Sequence, residues 1–144
     1  MKPKYATEFS AGADLCASES VTINPGEFKL VPTGYYGNQD DYADCGAMLL
    51  FARSSLSIKK GLILANGVGL IDCDYMDEVK VILTNITDKP ARIEQGERIA
   101  QLLPIAKNAV ANVASWGVGV DLRQGGFGST GGYDDAVKAG VYES

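Results

Sequence analysis

Apolar residues along this chain recur in short runs, often at every second position, and the runs are broken by Gly, Pro, Asn or Asp. "VKVILTN" (79–85) places Val79, Val81 and Leu83 on one face, the alternation of a half-buried strand. "VTI" and "FKLVPTG" flank "NPGE" and read as two strands around a Pro-Gly turn. "GAMLLFA" (46–52) and "GLILANGVGLID" (61–72) are apolar and lean towards strand, and Asn66-Gly67, between Ile63 and Val68, predicts a hairpin. "PARIEQGERIAQLLPI" (90–105) reads as two more strands broken near Gly96. A single short helix is expected at "SSLSIKKG", with Ser54 or Ser55 as N-cap and Gly61 just past the end. Many short strands and one short helix predict a mainly β protein, a sandwich or jelly-roll-like β-barrel, rather than alternating βαβ units. There is no internal repeat or interdomain linker, and the glycine-rich end reads as a tail that stays mobile unless something orders it.

The chain has 144 residues, enough for one domain that buries roughly two-thirds of the surface its unfolded form exposes. No apolar run approaches the roughly 20 residues needed to cross a bilayer, and no apolar segment follows the charged start "MKPKYATEFSAGADL", so no membrane association and a cytoplasmic location are expected. Cys16, Cys45 and Cys73 have no CxxC spacing and there is no histidine, which argues against a disulfide framework or a zinc site; the thiols read as small buried or half-buried groups. Without histidine, acid–base chemistry falls to carboxylates, tyrosines or lysines. A net charge of −5 speaks against a general affinity for nucleic-acid polymers but does not forbid a nucleotide. The arginines are only four, Arg53, Arg92, Arg98 and Arg123, so an anionic ligand requires some of them gathered locally or a divalent cation as a bridge.

Several short stretches carry candidate chemistry. In "RQGGFGSTGG" (123–132), glycines allow backbone amides to approach an anion, Arg123, Ser129 and Thr130 add donors, and Phe127 offers a face on which a base can stack. The same composition also describes a flexible linker, although little follows it to be linked. "ARSSL" gathers Arg53, Ser54 and Ser55 at a helix start, which suits a phosphate and equally suits an ordinary cap with an exposed arginine. After the Asn-Gly turn come Asp72, Asp74 and Tyr75; if the strand continues, the two carboxylates share a face, where they bind a metal, perturb one another, or line a wet edge. Asp14 and Gln101 are polar groups at positions where the pattern expects apolar or neutral ones.

Taken in order, "AGADL", "ARSSL", "NGVGLIDCDY", "ERIAQLLP" and "RQGGFGSTG" resemble the five ordered motifs of the trimeric dUTP pyrophosphatases, the dUTPase family, over about residues 11 to 131. The resemblance implies one dUTPase-like domain over 1–144, with a β-barrel body at 1–120 and a flexible C-terminal arm and tail at 121–144. It implies a homotrimer with active sites at subunit interfaces, dUTP as substrate and Mg²⁺ as cofactor. Products would be dUMP and pyrophosphate, which limits uracil incorporation into DNA and supplies dUMP for dTTP synthesis.

Position by position, the resemblance makes Asp72 the carboxylate that orients and deprotonates the attacking water. Asn66 and the backbone at Gly69, Leu70 and Ile71 match the hairpin that reads uracil, with Lys80 near the same pocket. Tyr75 matches the ring packed on the deoxyribose. Arg53, Ser54 and Ser55 match the phosphate-binding triplet, and Asp14 and Gln101 match groups that hold metal-bound waters and phosphate oxygens. Arg123, Phe127, Gly128, Ser129 and Thr130 match the arm that closes over base and phosphates. The chain departs from the family pattern at Ala52, Asp77 and Gln124, and its segment "GYYGNQDDYADCGAM" is longer and more acidic than the usual link. A dCTP deaminase of the same fold and a non-catalytic nucleotide-sensing or protein-binding module are the alternatives. The acidic segment near Asp40, Asp41 and Asp44 is the expected platform for any protein partner.

Overall fold

The computed structural model describes residues 1–119. It is mainly β, with ten strands: β1 Lys4–Tyr5, β2 Ala13–Cys16, β3 Val21–Ile23, β4 Phe28–Tyr36, β5 Cys45–Ala52, β6 Leu62–Leu64, β7 Gly69–Asp72, β8 Glu78–Asn85, β9 Ala91–Ile93 and β10 Arg98–Ala106. They form three antiparallel sheets, in the orders β1-β2-β10-β5-β7, β3-β9 and β4-β8-β6. The strands do not close into one continuous ladder, but the layering is compatible with the jelly-roll-like expectation.

Alternation explains the core. On β8 every second side chain points inward, and Val79, Val81 and Leu83 are buried together with Leu15, Ile23, Val31, Leu62, Ile93, Ile99 and Leu102. Each such side chain contributes about 1.5–3 kcal/mol by leaving water. The buried Asn85 is fully used: its Nδ2 donates to Ile23 O at 2.9 Å and Lys89 O at 2.7 Å, and its Oδ1 accepts from Thr87 N and Thr87 Oγ1. That network fixes the turn after β8 beneath the helix described next.

Among the described residues, two α-helices are present where one was expected. The expected one is α2, Ser54–Lys60; the other, α1 (Gln39–Tyr42), lies in the acidic segment, and a 3-10 turn follows β10 at Lys107–Ala109. The N-cap of α2 is Arg53 rather than either serine, in extended conformation and with no side-chain capping bond. Its end is as expected: Gly61 takes φ +62°, and a Cβ there would lie 2.1 Å from Thr87 Cγ2, so both the backbone and the packing require glycine. Lys60 then ties the last turn to β9 through Arg92 O and to the β9–β10 connection through Glu97 Oε1 at 2.8 Å.

Three further expectations change. Asn66-Gly67 makes a turn, with Gly67 at φ +73°, but not a hairpin ladder: β6 pairs with β8 and β7 with β5, so the chain changes sheets there. β7 ends at Asp72, so Cys73 and Asp74 belong to a turn and the alternation that would align Asp72 with Asp74 does not continue. Cys45 is buried and Cys16 partly so, as expected, but Cys73 is exposed for the same reason.

Candidate functional site

Strand register assembles the first group of candidates. Asp14 on β2 faces Gln101 on β10, which faces Phe51 on β5, one residue before the strand ends and the chain turns through Arg53 into α2. A bulge between Arg98 and Ala100 brings Arg98 towards the same carboxylate. Arg53 Nε lies 3.2 Å from Asp14 Oδ1 and Arg98 Nη1 3.5 Å from Asp14 Oδ2, while Arg53 Nη1 donates to Ser55 Oγ at 3.4 Å. Gln101 Nε2 donates to Ala52 O at 3.1 Å, so its amide is oriented by the strand end that delivers Arg53.

Gly12 lets this happen, because a Cβ there would meet Gln101 Oε1 at 3.0 Å and Gln101 Cβ at 3.2 Å. Asp14, Arg53, Ser54, Ser55 and Gln101 line one cleft of about 360 Å³. An adjoining cleft of about 460 Å³ adds Lys59, Lys60, Glu97 and Arg98. Burial pushes the Glu97 carboxyl up, but the Lys60 hydrogen bond, the Glu94 amide and the Lys60 charge outweigh it and hold the group below the usual carboxylate range. An acidic chain thus concentrates cations around one polar cleft, an arrangement fitted to a polyanion.

The second group sits along the opposite edge of β5. On β7, Gly69, Leu70, Ile71 and Asp72 face Leu50, Leu49, Met48 and Ala47. Gly69 is held so close that a Cβ would lie 2.9 Å from Leu50 Cβ. Leu70 and Asn66 are exposed, whereas Asp72 and Tyr75 are half-buried. Tyr75 N donates to Asp72 O at 3.1 Å, and the Tyr75 hydroxyl donates to Glu78 O at 2.6 Å. Lys80 lies on β8 opposite Pro32, its side chain half-buried.

The two groups do not meet within one chain. Asp14 and Asp72 are three strands apart in the sheet and four residues out of step along β5, a separation on the order of 20 Å at ordinary strand spacing and rise. Arg123, Phe127, Gly128, Ser129 and Thr130 lie outside the described residues.

A sequence profile of the dUTPase family matches residues 1–131. The chain belongs to the dUTPase family. It is 46% identical over 136 residues to the deoxyuridine 5'-triphosphate nucleotidohydrolase of Neisseria meningitidis serogroup B, covering 90% of this chain and 87% of that protein. It is likewise 46% identical over 133 residues to the enzyme of that name from Chromobacterium violaceum, at 90% and 87% coverage. Among solved structures, the dUTPase of Streptococcus mutans superposes with a TM-score of 0.64 at 34% identity, over 76% of this chain and 88% of that one. These dUTPase relatives do not favour the deaminase alternative.

Within this dUTPase fold, the sequence names Arg98, which stands in "ERIAQLLP", among four arginines but gives it no site role, since it reaches Asp14 only through a bulge that no periodicity announces. It also gave no site role to Tyr42 and Gly37, which touch the Tyr75–Asp77 turn. Their signal is the aromatic and glycine content of the extended acidic segment itself.

Proposed function

We propose that this chain hydrolyses dUTP to dUMP and pyrophosphate, with the cationic cleft around Asp14, Arg53, Ser55 and Gln101 as its triphosphate site. The observation that carries the reading is the convergence of Arg53 and Arg98 on Asp14, beside Ser54, Ser55 and Gln101, in an otherwise acidic protein. Paired guanidiniums, hydroxyls and an oriented amide are the donors a polyphosphate needs, and Arg53 is already held in place by Asp14 before any ligand arrives.

Asp72 holds and deprotonates the water that attacks the α-phosphorus, and Ser54 sits near the bond that breaks. Asn66 and the backbone from Gly69 to Ile71 read uracil, with Lys80 alongside, and the Tyr75 ring packs on deoxyribose where a 2'-hydroxyl would collide. Arg123, Phe127, Gly128, Ser129 and Thr130 close over the base and the phosphates.

Reacting atoms must come within about 3–3.5 Å, so a single chain that keeps Asp72 on the order of 20 Å from Asp14 does not complete the site. The reading that satisfies this is a homotrimer whose active sites take Asp72 from one subunit and Arg53 from another.

No group of three metal-ligating side chains occurs among the described residues, and Asp14 already faces two arginines. Such a donor set fits a divalent ion held mainly by the substrate, with Asp14 and Gln101 contacting its waters, rather than a protein cage. Held there with the substrate, Mg²⁺ would supply neutralisation of the charge that develops on the leaving pyrophosphate. The test is pyrophosphate release from dUTP, UTP, dTTP and dCTP with and without Mg²⁺. A strong preference for dUTP that requires the ion is expected, and equal rates on all four nucleotides would refute the assignment.

A further inference from the structure

The acidic segment between β4 and β5 does more than connect them. Its short helix α1 is capped by Asn38, whose Oδ1 accepts from Asp41 N at 2.9 Å, and the Asp41 carboxylate is gripped in turn by the Tyr35 hydroxyl at 2.6 Å and Asn38 Nδ2 at 2.9 Å. Of the acidic residues here, Asp41 is therefore spent on internal structure rather than offered to a partner. The helix so fixed carries Tyr42, which is 5% exposed, and its hydroxyl donates to the main-chain carbonyl of Tyr75 at 3.0 Å. Gly37, at the entry to the same helix, donates its amide to Asp77 O at 3.3 Å. A Cβ on Gly37 would lie 1.8 Å from Tyr75 O, so the two segments are in main-chain contact.

Two carbonyls of the turn that follows Asp72, at Tyr75 and at Asp77, thus receive donors from this one segment. The far end of the Tyr75 ring is tethered separately through Glu78 O. With its backbone and its hydroxyl both held, the ring has little freedom to swing.

We infer that Tyr42 is a positioning residue for the Tyr75 ring, and that the α1 segment sets how strictly the enzyme excludes ribonucleotides. The inference rests on Tyr75 facing the sugar. A 2'-hydroxyl is rejected by steric collision, and collision discriminates only as well as the wall is stiff. Loss of the Tyr42 donor leaves Tyr75 O with one partner fewer and lets the turn relax away from the sugar.

The experiment is steady-state hydrolysis of dUTP and UTP by the full-length enzyme and by Tyr42→Phe and Tyr75→Ala. Tyr42→Phe keeps the buried ring and removes only the donor, so the ratio of kcat/KM for dUTP over UTP is expected to fall about fivefold, carried by KM for UTP rather than by kcat for dUTP. A merely structural role would lower the thermal midpoint and leave that ratio where it was. If Tyr42→Phe does not fold, Asn38→Ala loosens α1 from outside the core and should shift the ratio in the same direction. A ratio within about twofold of the parent in these variants, while Tyr75→Ala collapses it, overturns the role of Tyr42 alone. A ratio untouched by Tyr75→Ala overturns the sugar-facing reading of Tyr75 and this inference with it.

Discussion

Arg53 Nε stands 3.2 Å from Asp14 Oδ1, joining β2 to the residue on which the chain leaves β5 for α2. The same guanidinium reaches Ser55 Oγ at 3.4 Å, so its fork is used in two directions. A lysine at 53 keeps the charge but has one compact ammonium and cannot span both partners. Arg53→Lys is therefore expected to lower kcat/KM for dUTP by about 10- to 100-fold, the range for charge-assisted hydrogen bonds, without a large change in melting temperature. Asp14→Asn, which loosens Arg53 and Arg98 together, should cost about tenfold and shift the Mg²⁺ dependence to higher concentration. An activity within twofold of the parent for Arg53→Lys would remove the fork from the account.

Asp72 should behave differently from the residues proposed to grip phosphate. Asn at this position preserves size and polarity but cannot take a proton from water. Asp72→Asn is expected to reduce kcat by about 10²- to 10⁴-fold while the affinity for a non-hydrolysable dUTP analogue stays close to that of the parent, as titration calorimetry would measure. A parallel loss of affinity would mean that Asp72 binds rather than activates.

Gly67 and Gly69 make a paired test of the segment that joins the sheets. At Gly67 a Cβ meets nothing within 4 Å, but φ is +73°, so Gly67→Ala should cost about 1 kcal/mol through backbone strain alone, and Gly67→Asn less. Gly69 has ordinary backbone angles but no room, with Leu50 Cβ 2.9 Å from the site of a Cβ, so Gly69→Ala must push β7 off β5. It is expected to destabilise by about 1–3 kcal/mol in urea melts and to raise KM for dUTP, since the displaced strand carries Leu70 to Asp72.

The tyrosines and carboxylates of the α1 segment give stability a defined pH window. Burial, helped by nearby Cys45, Tyr75 and Asp41, pushes the Tyr42 hydroxyl from 10.0 up to about 12; burial and the Asp41 hydrogen bond push Tyr35 higher still. The folded state keeps these protons after the unfolded chain has lost them, so their contribution is complete below pH 10 and falls away as pH rises above it, that of Tyr42 through about 12 and that of Tyr35 at higher pH. Asp41 runs the opposite way: the Tyr35 hydrogen bond, opposed by burial and aided by Asn38 and Lys2, lowers its pKa below 3.8. Its contribution is present above 3.8 and is lost as pH falls through the depressed value. Melting temperature against pH should therefore drop at both extremes, and Tyr42→Phe should flatten the alkaline limb. An alkaline limb identical to that of the parent would show that Tyr42 titrates normally.

These cases mark what the sequence makes legible. Where one period governs, as at Val79, Val81 and Leu83, or where one residue has a unique backbone role, as at Gly61, local chemistry fixes the outcome and the reading holds. Partnering is set by the whole chain. β6 and β7 flank a strong hairpin signal, yet each finds its neighbour in a different sheet, because β8 and β5 offer apolar faces that the three-residue β6 and four-residue β7 cannot offer one another. Asp14 and Gln101 stood out as polar residues in apolar settings and do meet, whereas Arg98 joined them through a bulge. The four-residue α1 carried its own signal in Asn38 followed by Asp40 and Asp41, a cap with acids in the first turn, but it is too short to show apolar periodicity.

The separation of Asp72 from Arg53 within one chain yields the most demanding test of shared active sites. Asp72→Asn and Arg53→Ala are each expected to be nearly inactive alone, for different reasons. If every site takes the carboxylate from one subunit and the guanidinium from another, a mixed trimer of the two variants contains some sites in which both are intact. An Arg53→Ala chain supplies Asp72 there and an Asp72→Asn chain supplies Arg53. Co-refolding the two at equal amounts should then restore about a quarter of the parent's activity per site, since each of two independent positions is filled correctly half the time. Mixing without subunit exchange should restore none, which separates assembly from trace contamination. If co-refolded trimers stay as inactive as either variant, both residues act from the same chain, and the distance across β5 must be closed by a rearrangement rather than by a neighbour.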